Sequence, residues 1–121
     1  MAYSPLGPGL LGGVVTSRKH LKDGWRELLP RYSEENFPKS LAIVEKIKAV
    51  AEKKGVTRDQ VTLAWLMAQW EDVIPIPGTL WIRALEENVE AMKIKLTKKE
   101  IKEIRRACEN AGDPGGRYPD M

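Results

Sequence analysis

Disulfide bonds are beyond this chain, which holds one cysteine, Cys108, in 121 residues. An intrachain disulfide framework is therefore excluded, and a lone thiol fits a reducing compartment. Histidine is equally scarce. The single one, His20, stands among Arg18, Lys19 and Lys22 and reads as a solvated loop residue. Charge of one sign is lacking too: 20 basic residues face 17 acidic ones, spread along the chain. No basic stripe interleaved with aromatics is present, so the pattern gives no reason to expect nucleic acid as a partner. No apolar run reaches the roughly 18 residues of a membrane span, and the N-terminus has no basic region leading into an apolar stretch. No membrane partner is expected, and the chain reads as cytoplasmic.

What is present is the composition of one soluble domain, 42% hydrophobic and 31% charged, which argues against disorder. The opening "MAYSPLGPGLLGG" is a very short apolar start followed by a glycine- and proline-rich loop. From Val14 to Pro30 no clean period emerges, and a long loop with room for a helical turn is expected. Leu41, Val44, Ile47 and Ala51 then recur at helical spacing, in a segment that Gly55 should end and whose regular part should begin near Pro38.

Thr57 and Gln60 form a capping-box pattern at the head of "RDQVTLAWLMAQW". That helix, expected over 58–70, is apolar nearly all round and should pack on two sides. "VIPIPGT" follows at 73–79, starting like a buried strand and leaving it through two prolines and a glycine. A third helix is expected from near Leu80. A fourth carries a second capping box, Thr97 and Glu100, with Ile101, Ile104, Cys108 and Ala111 as its apolar stripe. The tail is a loop. Short apolar strands among helices predict a parallel α/β arrangement, with strands near 1–4 and 73–76. Two strands alone make a marginal sheet, so the chain looks like part of something larger.

Several motifs resemble one family. "AYSPLGPGLL", "PRYSEENF", "TRDQVTLAWLMAQ", "VIPIPGT", "LEENVEAM" and "GRYP" are similar, in order and spacing, to the C-terminal portion of aldo-keto reductases, and most so to a short fungal and plant branch with an "IPGT" loop. The resemblance implies the C-terminal part of a (β/α)8 TIM barrel, with residues 1–121 forming an incomplete barrel of two strands and about four helices. It also implies NADP as cofactor and small-molecule aldehydes or ketones as substrates. A whole barrel takes roughly 250 residues. The family's Asp-Tyr-Lys-His tetrad comes from the first half of the barrel, so no catalytic residue is assigned here. The chain alone is expected to be inactive, as a remnant or part of a longer reductase. Met1 directly before "AYSPLG" would be an unusual start for a domain. The alternative is a non-catalytic half-barrel that self-associates or binds a partner through exposed edges and apolar faces.

Carried over residue by residue, the resemblance gives two cofactor clusters. Tyr3 matches the aromatic that stacks on the nicotinamide, and Ser4, Leu6 and Gly7 match the loop that wraps the pyrophosphate, largely through backbone amides. Gly78 and Thr79 match residues beside the adenosine 2′-phosphate, where a helix start offers N–H groups; Thr79 could equally be the N-cap. Glu87 and Asn88 match the adenine-contacting pair. One departure stands out: Leu80-Trp81 occupies the place of a pair that brings cations to the 2′-phosphate, and Ala84 stands where an arginine is frequent, with Arg83 beside it. Tyr32, Tyr118 and Cys108 read as packing residues, and no metal set is assigned.

Overall fold

A computed structural model describes residues 1–7, 11, 17–21, 24–113, 115 and 116. Tyr118 and most of the "GRYP" motif lie outside the described residues, as does the side chain of His20. The first regular element is strand β1, Ala2–Tyr3, and the second strand, β2, spans Pro75–Ile76. Between and after them run helices α1 (Phe37–Lys54), α2 (Arg58–Met67), α3 (Ile82–Glu90) and α4 (Lys98–Ala111). Single 3-10 turns occupy Arg18–Leu21, Arg26–Leu28 and Pro30–Tyr32, which gives the expected long loop more local structure than one helical turn. The result is a mixed α/β unit with four α-helices and two parallel strands among the described residues.

The helix ends follow from side-chain chemistry. Thr57 Oγ1 accepts from the Gln60 N–H at 3.2 Å, and Gln60 Oε1 accepts from the Thr57 N–H at 3.1 Å. Thr97 and Glu100 repeat the arrangement at α4, at 3.1 and 2.8 Å. Each box satisfies amides that an isolated helix start leaves open. Gly55 ends α1 in the left-handed region, φ 67°, with its N–H on Glu52 O and the Val56 N–H on Ala51 O. That double closure needs a positive φ that glycine adopts at little cost.

Two apolar clusters make the core. Ile47, Val50 and Ala51 of α1 pack with Val61 of α2 and Ile104 of α4, and half-buried Cys108 rests against them. Leu21, Leu29, Tyr32, Phe37 and Val44 form the other, where the Tyr32 and Phe37 rings stack with centroids 5.9 Å apart. Helix α2 touches α1 as well as α3, as its nearly all-round apolarity predicted. It ends at Met67 rather than 70, and Trp70 is exposed.

The strands are shorter than their apolar runs. Ala2 pairs with Pro75 and Tyr3 with Ile76, in parallel, and the Ala2 N–H reaches Ile74 O at 2.8 Å. Pro75 and Pro77 have no N–H to extend the ladder, and Ser4, at φ 44°, turns the chain out of β1. The expectation of a buried strand at 73–76 is corrected. Val73 and Pro75 are half-buried, whereas Ile74 and Ile76 are exposed, because no described element covers that face.

Candidate functional site

Parallel pairing decides where the two sequence clusters go. With Tyr3 opposite Ile76, β1 runs into Ser4–Gly7 at the end where β2 runs into Pro77–Thr79. Both loops therefore leave from the carboxyl ends of neighbouring strands, the place where parallel α/β sheets build ligand sites.

In the first loop, residues 4–7 form a turn closed by the Gly7 N–H on Ser4 O at 3.1 Å. Gly7 holds φ 63°, and Pro5 is buried beneath the turn. The Gly7 amide is thus engaged within the turn, Pro5 has none, and Leu6 O accepts from the Leu11 N–H. The Tyr3 ring is about half exposed where β1 ends.

The second loop is more open. Gly78 is exposed, and a Cβ placed on it would meet nothing within 4 Å. Neither a left-handed backbone nor crowding by the fold explains a glycine there, while close approach of a ligand to the main chain would. Thr79 Oγ1 accepts from the Trp81 N–H at 3.2 Å. The N-cap of α3 is Trp81 itself, without a side-chain cap, so the reading of Thr79 as N-cap is corrected: its hydroxyl shapes the approach to the helix. The first main-chain bond of α3 is Leu85 N–H to Trp81 O, which leaves the amides of Ile82, Arg83 and Ala84 at the positive end of the helix dipole. An anionic group would be welcome there. Of the neighbouring side chains, Leu80 is 97% exposed and Trp81 73%, and neither carries charge, while Arg83 is an exposed cation in the first turn.

Glu87 and Asn88 are consecutive residues of α3. Glu87 O accepts from Gln60 Nε2 at 3.1 Å, which ties α3 to α2. Asn88 instead lines an apolar groove of about 420 Å³ with Leu63, Met67, Val73, Leu85, Val89 and Met92. Asp59, in the first turn of α2, has its carboxyl pushed up, first by burial and then by the Glu87 charge, against a smaller lowering by Arg58. Sequence reasoning missed this carboxyl, since a helix N-terminus by itself would favour its ionised form.

Among the described residues no cluster of histidine, cysteine or acidic side chains could hold a metal ion. Burial raises the Tyr32 phenol, with Arg26 and then Arg31 opposing. Burial likewise raises the Cys108 thiol, an environment suited to packing rather than nucleophilic attack.

These strand-end loops carry the motifs of one family, and sequence comparison agrees. The profile of the Aldo/keto reductase family matches residues 1–109, and the chain belongs to that family. It is 47% identical over 120 residues to aldo-keto reductase yakc (NADP(+)) of Schizosaccharomyces pombe, covering 98% of this chain and 35% of that protein. It is 46% identical over 122 residues to aldo-keto reductase str7 of Strobilurus tenacellus, covering 100% of this chain and 36% of the relative. A probable aldo-keto reductase 1 of Glycine max is 40% identical over 116 residues, which is 96% of this chain and 34% of that protein. The chain thus spans about a third of the length of these curated relatives. No helix among the described residues is long and apolar enough to cross a membrane.

Proposed function

We propose that these 121 residues form the nucleotide-facing C-terminal part of an NADP-dependent (β/α)8 barrel that reduces aldehydes and ketones, and that alone they carry out no hydride transfer. The observation that carries the reading is the register Tyr3 to Ile76, which sets the Tyr3–Gly7 and Gly78–Thr79 loops side by side at the strand ends. Support for the cofactor comes from the open main chain at Gly78 and from the start of α3, both suited to a phosphate, and from the name of the fission-yeast relative. NADPH, when bound, supplies the hydride. This chain's part is to seat it: Tyr3 offers a ring face, the first turn of α3 its amides, and Asn88 a polar group beside the groove.

Carbonyl reduction needs a proton donor and a group that tunes it, and no acid, base and orienting group are brought together among the described side chains. The test mixes the purified chain with NADPH and a panel of aldehydes while following NADPH absorbance. No protein-dependent turnover is expected. Turnover lost in Tyr32→Phe would contradict the reading. The second reading, a non-catalytic half-barrel that binds a partner, is favoured by the exposed Ile74, Ile76 and the outer stripe of α3.

A further inference from the structure

Helix α4 sorts its charges to two sides. Its buried carboxylate, Glu100, meets the Lys54 ammonium at 3.1 Å, and Glu103 meets that of Lys46 at 3.4 Å. Both lysines belong to α1, so these carboxylates are already neutralised from the core side. Lys98, Lys99, Lys102 and Arg106 are exposed and have no ion pair among the described residues. With Glu103 they line an open trough of about 430 Å³ along the outside of the helix. Helix stability does not call for this placement. Lys98 and Lys99 open the helix, where the positive end of the dipole disfavours cations. Lys98 with Lys102, and Lys102 with Arg106, are like-charged pairs four residues apart, each unfavourable to the helix. Nor does the rest of a barrel explain the row, since covering it with apolar protein would strip water from unpaired charges.

We propose that this outer face of α4 docks a short acidic segment of a partner protein, with carboxylates set along the row Lys98, Lys102 and Arg106. Charge and spacing select that occupant. Residues four apart on a helix rise by about 6 Å, and alternate side chains of an extended chain lie about 6.6 Å apart. Acidic residues at every second position of an extended segment therefore each reach a cation, while Lys99 flanks the row. Arg106 adds a planar fork that takes a carboxylate in two hydrogen bonds. The row is about 12 Å long, and just beyond Arg106 it stops at the exposed Glu109. A long polyanion would run past that carboxylate, whereas a short segment ends before it. Nucleic acid finds no aromatic ring on α4 to stack a base. A lipid surface finds no apolar anchor on this face, because Ile104 is buried and Ile101 and Cys108 are half-buried. The face shares no residue with the strand-end loops, so docking here leaves the strand end open.

Fluorescence anisotropy tests this, with the 121-residue chain titrated at low salt into a short labelled peptide of alternating glutamate and serine. Saturable binding that weakens as salt is added is expected, and none is expected for the matching peptide of glutamine and serine. Lys102→Glu should weaken binding about fivefold, since one ion pair is lost and one repulsion gained. Lys102→Arg, which keeps the charge, should leave it nearly unchanged, and so should Lys19→Glu, which reverses an exposed cation outside α4. Both substituted side chains are exposed, and circular dichroism verifies that the variants stay folded. Equal weakening by Lys102→Glu and Lys19→Glu would reduce the effect to general charge attraction and overturn the proposal. The absence of saturable binding at low salt would overturn it as well. So would tighter binding of labelled oligothymidine, or of vesicles rich in phosphatidylserine, than of the acidic peptide.

Discussion

Two carboxylates show how environment decides what a residue contributes. Burial alone would raise the Glu100 carboxyl, but the Thr97 N–H and the Lys54 ammonium, 3.1 Å away, outweigh it and hold the group below its usual range. A folded-state value below the unfolded one means stability that is present at neutral pH and lost as pH falls through the folded value. Glu100→Gln should therefore cost about 1–3 kcal/mol at neutral pH, as for a bond to a charged group. Urea midpoints measured across acidic pH should show that deficit closing as the carboxylate protonates. Asp59 has the opposite sign. Its folded value is raised, by burial first and Glu87 second, and Oδ1 is buried without a hydrogen-bond partner among the described residues. Between the unfolded and folded values the native state holds more protons, so this group makes stability fall as pH rises through that window. Asp59→Asn should flatten that part of the profile. At the loop we propose for the cofactor, Leu80→Thr with Trp81→Lys should tighten NADPH by about 1–2 kcal/mol, as for a partly exposed charge-assisted contact. NADH, which lacks the 2′-phosphate, should change little, and the gain should shrink with salt. Titrating both cofactors into both proteins at two salt concentrations checks it; equal tightening would mean that Trp81 does not face the phosphate.

At the level of elements, local signals were readable where the chemistry is local. The Thr57–Gln60 and Thr97–Glu100 boxes and the Gly55 stop could be read because each is completed within a few residues. Replacing Thr57 by alanine removes an acceptor for the Gln60 N–H, and thermal unfolding should register a loss of about 1 kcal/mol. The strand at 73–76 was legible in place but not in burial. Apolarity says that a face should be covered, whereas coverage depends on elements that the described residues do not bring to Ile74 and Ile76. Thr79 illustrates a second limit. Threonine before a helix suggests a cap, but the helix starts two residues later than that role needs, and the hydroxyl turns to the Trp81 N–H. Glu87 and Asn88 follow one another on α3, where Asn88 lines the groove and the Glu87 main-chain carbonyl accepts from Gln60 of α2.

For the whole molecule, the family and the α/β class were legible because motif order survives in a third of the relatives' length. The core sits under α1, α2 and α4, while α3 and β2 present apolar surface outward. In the function we propose, this unit seats the cofactor apart from the chemical step. The most direct measurement is an amide NMR titration of the 121-residue chain with adenosine 2′,5′-bisphosphate. Shifts centred on Gly78, Thr79 and the amides of Ile82 to Ala84 are predicted, with weaker ones at Asn88. Shifts confined to the lysines of α4, or none at any concentration, would contradict the assignment of this strand end as the nucleotide site.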